Sequence, residues 1–320
     1  MRKINNCNDK IFYQLVDLVL NKSEEDLLFK IKFNYSFLPK NIKTSLENYF
    51  DKYKFWGSLH EDDLDYDEIE QKVKTIKNHI KDFVWLYEKL EDDSSKFLLY
   101  SILNNFINYD FTSLKKTVNQ KYCHYFDFDI LLKMKDEVFA DIGSYTGDTV
   151  LDFIKCYGEN SYKKIYCYEI TTDIIPILKN NLLNYKNIQI KSYAVSNKSK
   201  TLYIDENTTS CSANKTKNKG KIKIEAKSLD EDIKDKITLI KMDIEGDEEL
   251  ALIGAKNHIQ NDTPKLLISL YHNNHHYYKL PKLIHSYNKN YKFYLRNYGG
   301  SLYPTEIVLF AIPNWNQLIL

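Results

Sequence analysis

The stretch 138–148, VFADIGSYTGD, constrains this chain more than any other. An apolar run closes on Asp141, a bend with Gly143 and Gly147 follows, and a helical pattern opens near Asp148. Strand, glycine bend and helix N-terminus in that order form the usual setting for a nucleotide-like ligand. Glycine lets the backbone take positive φ and come close to that ligand. A plain strand–turn–helix whose Asp only caps the turn fits the same residues.

A second apolar run, KIYCYEI at 164–170, ends near Glu169, which is 169 − 141 = 28 positions beyond Asp141. In βαβ folds an acidic residue closing the second strand hydrogen-bonds the ribose hydroxyls of an adenosine group. A carboxylate suits this role because it accepts from both hydroxyls at once. Between the two runs, Val150, Phe153, Ile154 and Tyr157 recur at helical spacing and predict a crossover helix over 149–157. A further helix is expected over 173–185 and a third strand over 188–195. Glu169 as a merely solvated strand end is the competing reading.

Two cofactor classes fit this βαβ pair. A dinucleotide site, as in an NAD-type dehydrogenase, prefers G-x-G-x-x-G, whose third glycine packs the helix against the strand. Here the loop is D-x-G-x-x-x-G, with no further glycine before Gly158. S-adenosylmethionine has no pyrophosphate and needs less bare backbone, and its sulfonium cation favours a nearby acidic residue. The spacing leans towards the methyl donor. A module that binds a nucleotide without catalysing anything stays open.

Further on, ITLIKM at 237–242 reads as a buried strand and a helix opens within EGDEELALIGA, 245–255. Asp243 and Glu245 fall at the strand-to-helix turn, where ligands bind in open α/β sheets. Asp247, Glu248 and Glu249 follow in the first helical turn, where the helix dipole alone stabilises acidic side chains. Another strand is expected at 264–272, PKLLISLYH, ending in Tyr271 and His272, with more at 291–296 and 306–312.

On these residues the chain resembles the FkbM-type family of S-adenosylmethionine-dependent methyltransferases. The likeness rests on DIGSYTGD (141–148), Glu169, SYAVSN (192–197), LIKMDIEGDEELALIGA (239–255), PKLLISLYH (264–272) and YKFYLRNY (291–298), and spans about 139–312. It implies an α/β fold, a Rossmann-like class I methyltransferase sheet of seven strands with the last antiparallel. It also implies O-methylation of a sugar or polyketide-like hydroxyl. The acceptor expected on this basis is a bacterial surface-polysaccharide sugar or its nucleotide-linked precursor. Carried onto matching positions, Asp141, Gly143, Ser144, Tyr145, Gly147, Glu169, Ala194 and Asp243 would hold the cofactor. Asp243, Glu245 and His272 would lie at the reaction face. The family often has alanine after the glycine of IEG, whereas Asp247 stands here.

Methyl transfer to a hydroxyl needs an aligned acceptor and a group that takes a proton. A neutral histidine suits the second task, which makes His272 the expected general base. A rival arrangement places Mg2+ or Mn2+ on Asp243, Glu245 and His272, with Asn273 beside them, to acidify and orient a sugar diol. His275 and His276 follow closely, but adjacent side chains point in different directions. Tyr145, Tyr271, Tyr277, Tyr278 and Tyr298 offer rings to a sugar, although with 26 Tyr in the chain an aromatic near any site is expected. Arg296 suits either an acceptor phosphate or a surface salt bridge. The polar stretch 207–220 reads as an exposed loop, with Ser210 or Ser212 as contacts to adenine or acceptor and Lys215, Lys217, Lys219 and Lys221 as a small basic run.

Composition bounds the rest. A net charge of +1 argues against nucleic acid or an anionic membrane as the partner, and no stretch is long and apolar enough to span a bilayer. The N-terminus lacks a signal-peptide core, and the five cysteines are scattered. Together these predict reduced thiols in a cytoplasmic protein. Residues 1–135 contain few helix breakers and repeat apolar positions every three to four residues over 9–31, 67–90 and 94–108. They predict a helical domain of four to six helices that lids the site, recognises the acceptor or forms a homodimer, ahead of a catalytic domain over 136–320. The acidic run 61–70 is expected at a helix start.

Overall fold

Runs such as EVFADI and KLLIS are mostly apolar, and in the computed structural model both become strands buried along their whole length, charged residues included. The structure describes residues 6–53, 58–59, 67–204, 216 and 219–314. It divides into two units. One comprises Met1–Asn119, Leu270–Tyr278 and Tyr294–Ile307, and the other Gln120–Ser269, Lys279–Phe293 and Val308–Leu320.

The first unit is built on α1 (Cys7–Asn21), α2 (Glu24–Ser36), α3 (Lys40–Lys52), α4 (Asp67–Lys89), α5 (Asp93–Asn108) and α6 (Phe111–Lys116). The helical periodicity over 9–31 runs through two helices, α1 and α2. Ser23 takes an extended conformation, its hydroxyl accepts the Asp26 amide and its own amide donates to the Asp26 carboxylate, so a capping box starts α2 afresh. The helices expected over 67–90 and 94–108 are α4 and α5, the latter capped by Asp92. Ile69, Val73, Ile76, Ile80, Phe83, Leu86 and Tyr87 form the buried face of α4. That core also buries an ion pair, Lys72–Glu68 at 2.6 Å. The Lys72 ammonium lies over the rings of Phe106, Tyr109 and Tyr303. Of the acidic run 61–70, residues 61–66 lie outside the described residues, and 67–70 open α4.

The remaining elements are β1 (Glu137–Ile142), α7 (Asp148–Tyr157), β2 (Tyr162–Tyr168), α8 (Ile175–Asn181), β3 (Ile188–Lys191), β4 (Ala194–Val195), β5 (Lys200–Ile204), β6 (Ile222–Lys227), α9 (Leu229–Asp232), β7 (Leu239–Met242), α10 (Glu248–Ile253), α11 (Lys256–Asn261), β8 (Lys265–Ser269), α12 (His276–Tyr287), β9 (Tyr291–Asn297) and β10 (Ile307–Pro313). Seven of the strands form one sheet in the order β3-β2-β1-β7-β8-β10-β9. Its pairs β2–β3, β1–β2, β1–β7 and β7–β8 are parallel, and β10 runs antiparallel to β8. This is the α/β sheet with an antiparallel last strand that the sequence led us to expect.

Two strand expectations are corrected. The strand predicted over 188–195 breaks after Lys191, and Ala194–Val195 joins a separate three-stranded sheet, β4-β6-β5. Pairing with β6, far along the chain, decides that break. The strand predicted to run through His272 stops at Ser269. Among the described residues, no helix is long and apolar enough to cross a membrane.

The described cysteines are free. Cys123 and Cys156 nevertheless lie side by side, and burial first, then the neighbouring thiol, pushes Cys156 up to about 11. Cys211 lies outside the described residues.

Candidate cofactor and catalytic site

In a sheet of this order the chain leaves β1 in one direction for β2 and β3 and in the other for β7. The crevice at that switch, outside the carboxyl ends of the strands, is where ligands bind. The bend 143–147 closes β1 there. Gly143 (φ +80°) and Gly147 (φ +86°) both take the left-handed conformation that glycine favours. A Cβ on Gly143 would fall 1.9 Å from the carbonyl oxygen of Asp243, so the bend lies directly on the end of β7. Gly147 precedes α7 with no side chain capping the helix, leaving the first turn as a place for an anionic group.

Glu169, the first residue after β2, is the acidic residue expected from sequence. One of its oxygens accepts the Tyr145 amide at 2.9 Å, and the other accepts the amides of Ile170 (2.9 Å) and Thr171 (2.7 Å). The amides of Gly143 and Ser144 reach the Tyr168 carbonyl at 3.0 and 2.9 Å. The Ser144 hydroxyl, fully buried, donates to the Asp141 carbonyl at 2.8 Å. Bend and β2 are thereby locked together. Tyr145 (φ +45°) is exposed at the bend's tip.

Behind this, Asp232 accepts the Tyr168 hydroxyl at 2.7 Å and the Tyr193 hydroxyl, with Lys191 3.4 Å away. The network ties the end of β2 to the residue before Ala194. The Ala194 methyl belongs to the core of the small sheet, so its backbone is what it can offer a ligand.

The carboxyl end of β7 brings residues that sequence reading passed over. Lys241, buried mid-strand, lies 3.2 Å from the Asp141 carboxylate and donates to the Gly143 carbonyl at 2.6 Å. Burial pushes Asp141 up to about 6, opposed by Lys241. Burial also works against the Lys241 charge, but Asp141, Asp243 and Asp148 outweigh it and hold the ammonium above its ordinary range. A lysine interrupting LIKM was the available signal: on a strand buried on both faces it demands a charged partner.

Asp243 follows, half-buried, and accepts the Tyr125 hydroxyl at 2.7 Å. Glu248, fully buried, accepts the Ile244 amide at 2.9 Å and closes the turn before α10. Glu245 (φ +57°) and Gly246 (φ +109°) make that turn. Asp247 accepts the Thr216 hydroxyl, which gives this departure from the family pattern a partner.

Other candidates belong to the helical unit. His272 sits there beyond the end of β8, buried, its ring against Tyr271. Arg296 settles as a salt bridge to Asp92 (2.8 Å), with Ser95 at 3.1 Å. Tyr277 and Tyr278 are buried. Tyr278 stacks on His79 and meets His275 Nδ1 at 2.5 Å. Ser210, Ser212, Lys215 and Lys217 lie outside the described residues.

A family model, the methyltransferase FkbM domain, matches residues 141–299, a span that opens on Asp141 and runs past β9. The chain belongs to the FkbM methyltransferase family. The FkbM methyltransferase from Methylobacillus flagellatus KT has a similar structure, with a TM-score of 0.64 and 24% identity, over 75% of this chain and 62% of that one. This FkbM-family chain therefore spans about three fifths of that protein, with which it shares the fold. An rRNA methylase from Streptococcus thermophilus matches at a TM-score of 0.37 and 11% identity, over 56% of this chain and 88% of that one. Comparison with curated protein sequences gave no match.

Proposed function

We propose that this FkbM-family chain transfers a methyl group from S-adenosylmethionine to a hydroxyl of a sugar, of the kind found in a bacterial surface polysaccharide or its nucleotide-linked precursor. The observation that carries the reading is Glu169, held at the end of β2 by the Tyr145 amide of the glycine bend. Such a carboxylate, with the uncapped start of α7 beside the bend, fits an adenosyl ribose on one side and an amino-acid carboxylate on the other. When bound, this cofactor supplies an electrophilic methyl on sulfur, so that the acceptor oxygen gains a C–O bond as the C–S bond breaks. Asp243 adds negative charge near the bend, favourable to a cation there. The acceptor hydroxyl loses its proton, and His272 and Asp243 are the two residues proposed to take it.

The test incubates the chain with labelled methyl donor and a panel of nucleotide sugars and extracted polysaccharide, with products read by mass spectrometry. Calorimetry with S-adenosylhomocysteine and with NAD runs in parallel. Labelled sugar and selective binding of S-adenosylhomocysteine are expected. Selective NAD binding would overturn the reading. His272→Ala is expected to abolish turnover and to leave S-adenosylhomocysteine affinity nearly intact. Repeating the assay after chelation, with Mg2+ or Mn2+ restored, decides whether a metal takes part.

A further inference from the structure

Residues 120–130, QKYCHYFDFDI, precede the first strand and form no regular element. Tyr125 in that stretch is buried and sits at φ +68°, a conformation that a bulky side chain rarely adopts. Strain of this sort persists only where surrounding contacts hold it, and such residues cluster at functional sites.

What holds Tyr125 is the carboxyl end of the sheet. Its hydroxyl donates to Asp243 Oδ2 at 2.7 Å and lies 3.0 Å from Ser269 Oγ. A phenol has one proton to give. With that proton on Asp243, the Ser269 hydroxyl is the donor to Tyr125. The result is a chain, Ser269 to Tyr125 to Asp243, that crosses from the last residue of β8 to the residue after β7. Chains of this kind polarise and orient their members together. The Tyr125 ring meanwhile stands 5.4 Å from the Lys241 ammonium, which grips Asp141 and the Gly143 carbonyl. The His124 ring stacks on that of Tyr125, with centroids 3.9 Å apart.

We propose that Tyr125 is a positioning residue: its hydroxyl, ordered by Ser269, sets the orientation of the Asp243 carboxylate at the site. The assignment rests on the reading of Asp243 as a residue of the methyl-transfer site. It extends the functional residues to a segment outside the family-matched span of 141–299.

The test uses the full chain and the variants Tyr125→Phe, Ser269→Ala and Asp243→Asn. Tyr125→Phe keeps the ring over Lys241 and removes only the hydroxyl. Its kcat is expected to fall at least tenfold, with KM for S-adenosylmethionine and the affinity for S-adenosylhomocysteine within twofold of the parent. Added to Asp243→Asn it should cost far less than in the parent, because the carboxylate that Tyr125 orients is already gone. A lowered melting temperature with kcat unchanged, additive losses, or lost S-adenosylhomocysteine binding would each overturn the proposal.

A second readout needs no cofactor. In the ligand-free chain, the 13C resonance of the Tyr125 ring carbon bearing the hydroxyl should move in both Asp243→Asn and Ser269→Ala. No movement in either refutes the chain, even if Tyr125→Phe fails to fold. Should the parent protein neither bind S-adenosylhomocysteine nor transfer methyl, the proposed function fails, while this resonance still reports on Tyr125.

Discussion

The Lys241 ammonium lies 3.2 Å from the Asp141 carboxylate, with both side chains almost completely buried. The same ammonium holds the carbonyl of Gly143. One cation from β7 therefore neutralises the last acidic residue of β1 and fixes the first residue of the glycine bend. Asp141 acts within the framework of the bend as Lys241's partner, and Glu169 and Asp243 are the less enclosed carboxylates of this region.

Removing one partner of a buried ion pair strands the other charge, at about 3–5 kcal/mol. Lys241→Met is expected to destabilise the chain by that amount in chemical denaturation. The folded remainder should also lose affinity for S-adenosylhomocysteine, because the Gly143 carbonyl is released. The double variant Lys241→Met, Asp141→Leu should recover most of the stability and little of the affinity. Full affinity in the single variant would show that the bend does not depend on Lys241.

A second buried pair provides the control. Lys265 meets Glu137, which also accepts the Thr238 hydroxyl, and both members of the pair are completely buried. These residues stand at or next to the starts of β8, β1 and β7, the end of the strands opposite the bend. Lys265→Met is expected to cost a similar 3–5 kcal/mol or so, with S-adenosylhomocysteine affinity of the folded fraction unchanged within twofold. Calorimetry below the melting transition checks it.

The contrast shows which parts of the site are legible in sequence. The bend, Glu169 and the α4 and α5 helices declare themselves locally, through glycine spacing, a carboxylate closing an apolar run, and helical periodicity. The break at Ser23 was also local, in the S-x-x-D signal of a capping box, and the longer apolar pattern over 9–31 obscured it. Ala194–Val195 gave no such cue, since pairing with Ala226 and Lys227 moves it into the second sheet. Tyr125 is the extreme case. Its partners Asp243 and Ser269 are 118 and 144 positions away, and nothing within QKYCHYFDFDI foretells them.

Glu169 carries the cofactor proposal and gives its sharpest quantitative expectation. A hydrogen bond to a charged group is worth about 1.5–3 kcal/mol, or roughly a 10- to 100-fold change in affinity. Glu169→Gln is expected to weaken S-adenosylhomocysteine binding by that factor. The side-chain amide keeps one oxygen, enough for the Ile170 and Thr171 amides, but turns its NH2 towards the Tyr145 amide, so melting temperature should also fall, by less than it does for Lys241→Met. An unchanged dissociation constant would remove Glu169 from the cofactor site.

His124, stacked on Tyr125, sets an acid limit on the same region. Burial first, then Lys241, push its imidazole down to about 4 from 6.5, against the pull of Asp243. The folded chain thus binds this proton less readily than the unfolded chain. Between pH 6.5 and 4 the unfolded state carries more protons, so stability falls as pH falls through that window. At 1.36 kcal/mol per pH unit the loss approaches about 3 kcal/mol near pH 4. His124→Phe keeps a flat ring against Tyr125 and removes the titrating group. Its melting temperature, followed from pH 7 to pH 4, should decline less steeply than that of the parent, and parallel curves would show that protonation of His124 does not govern the acid transition.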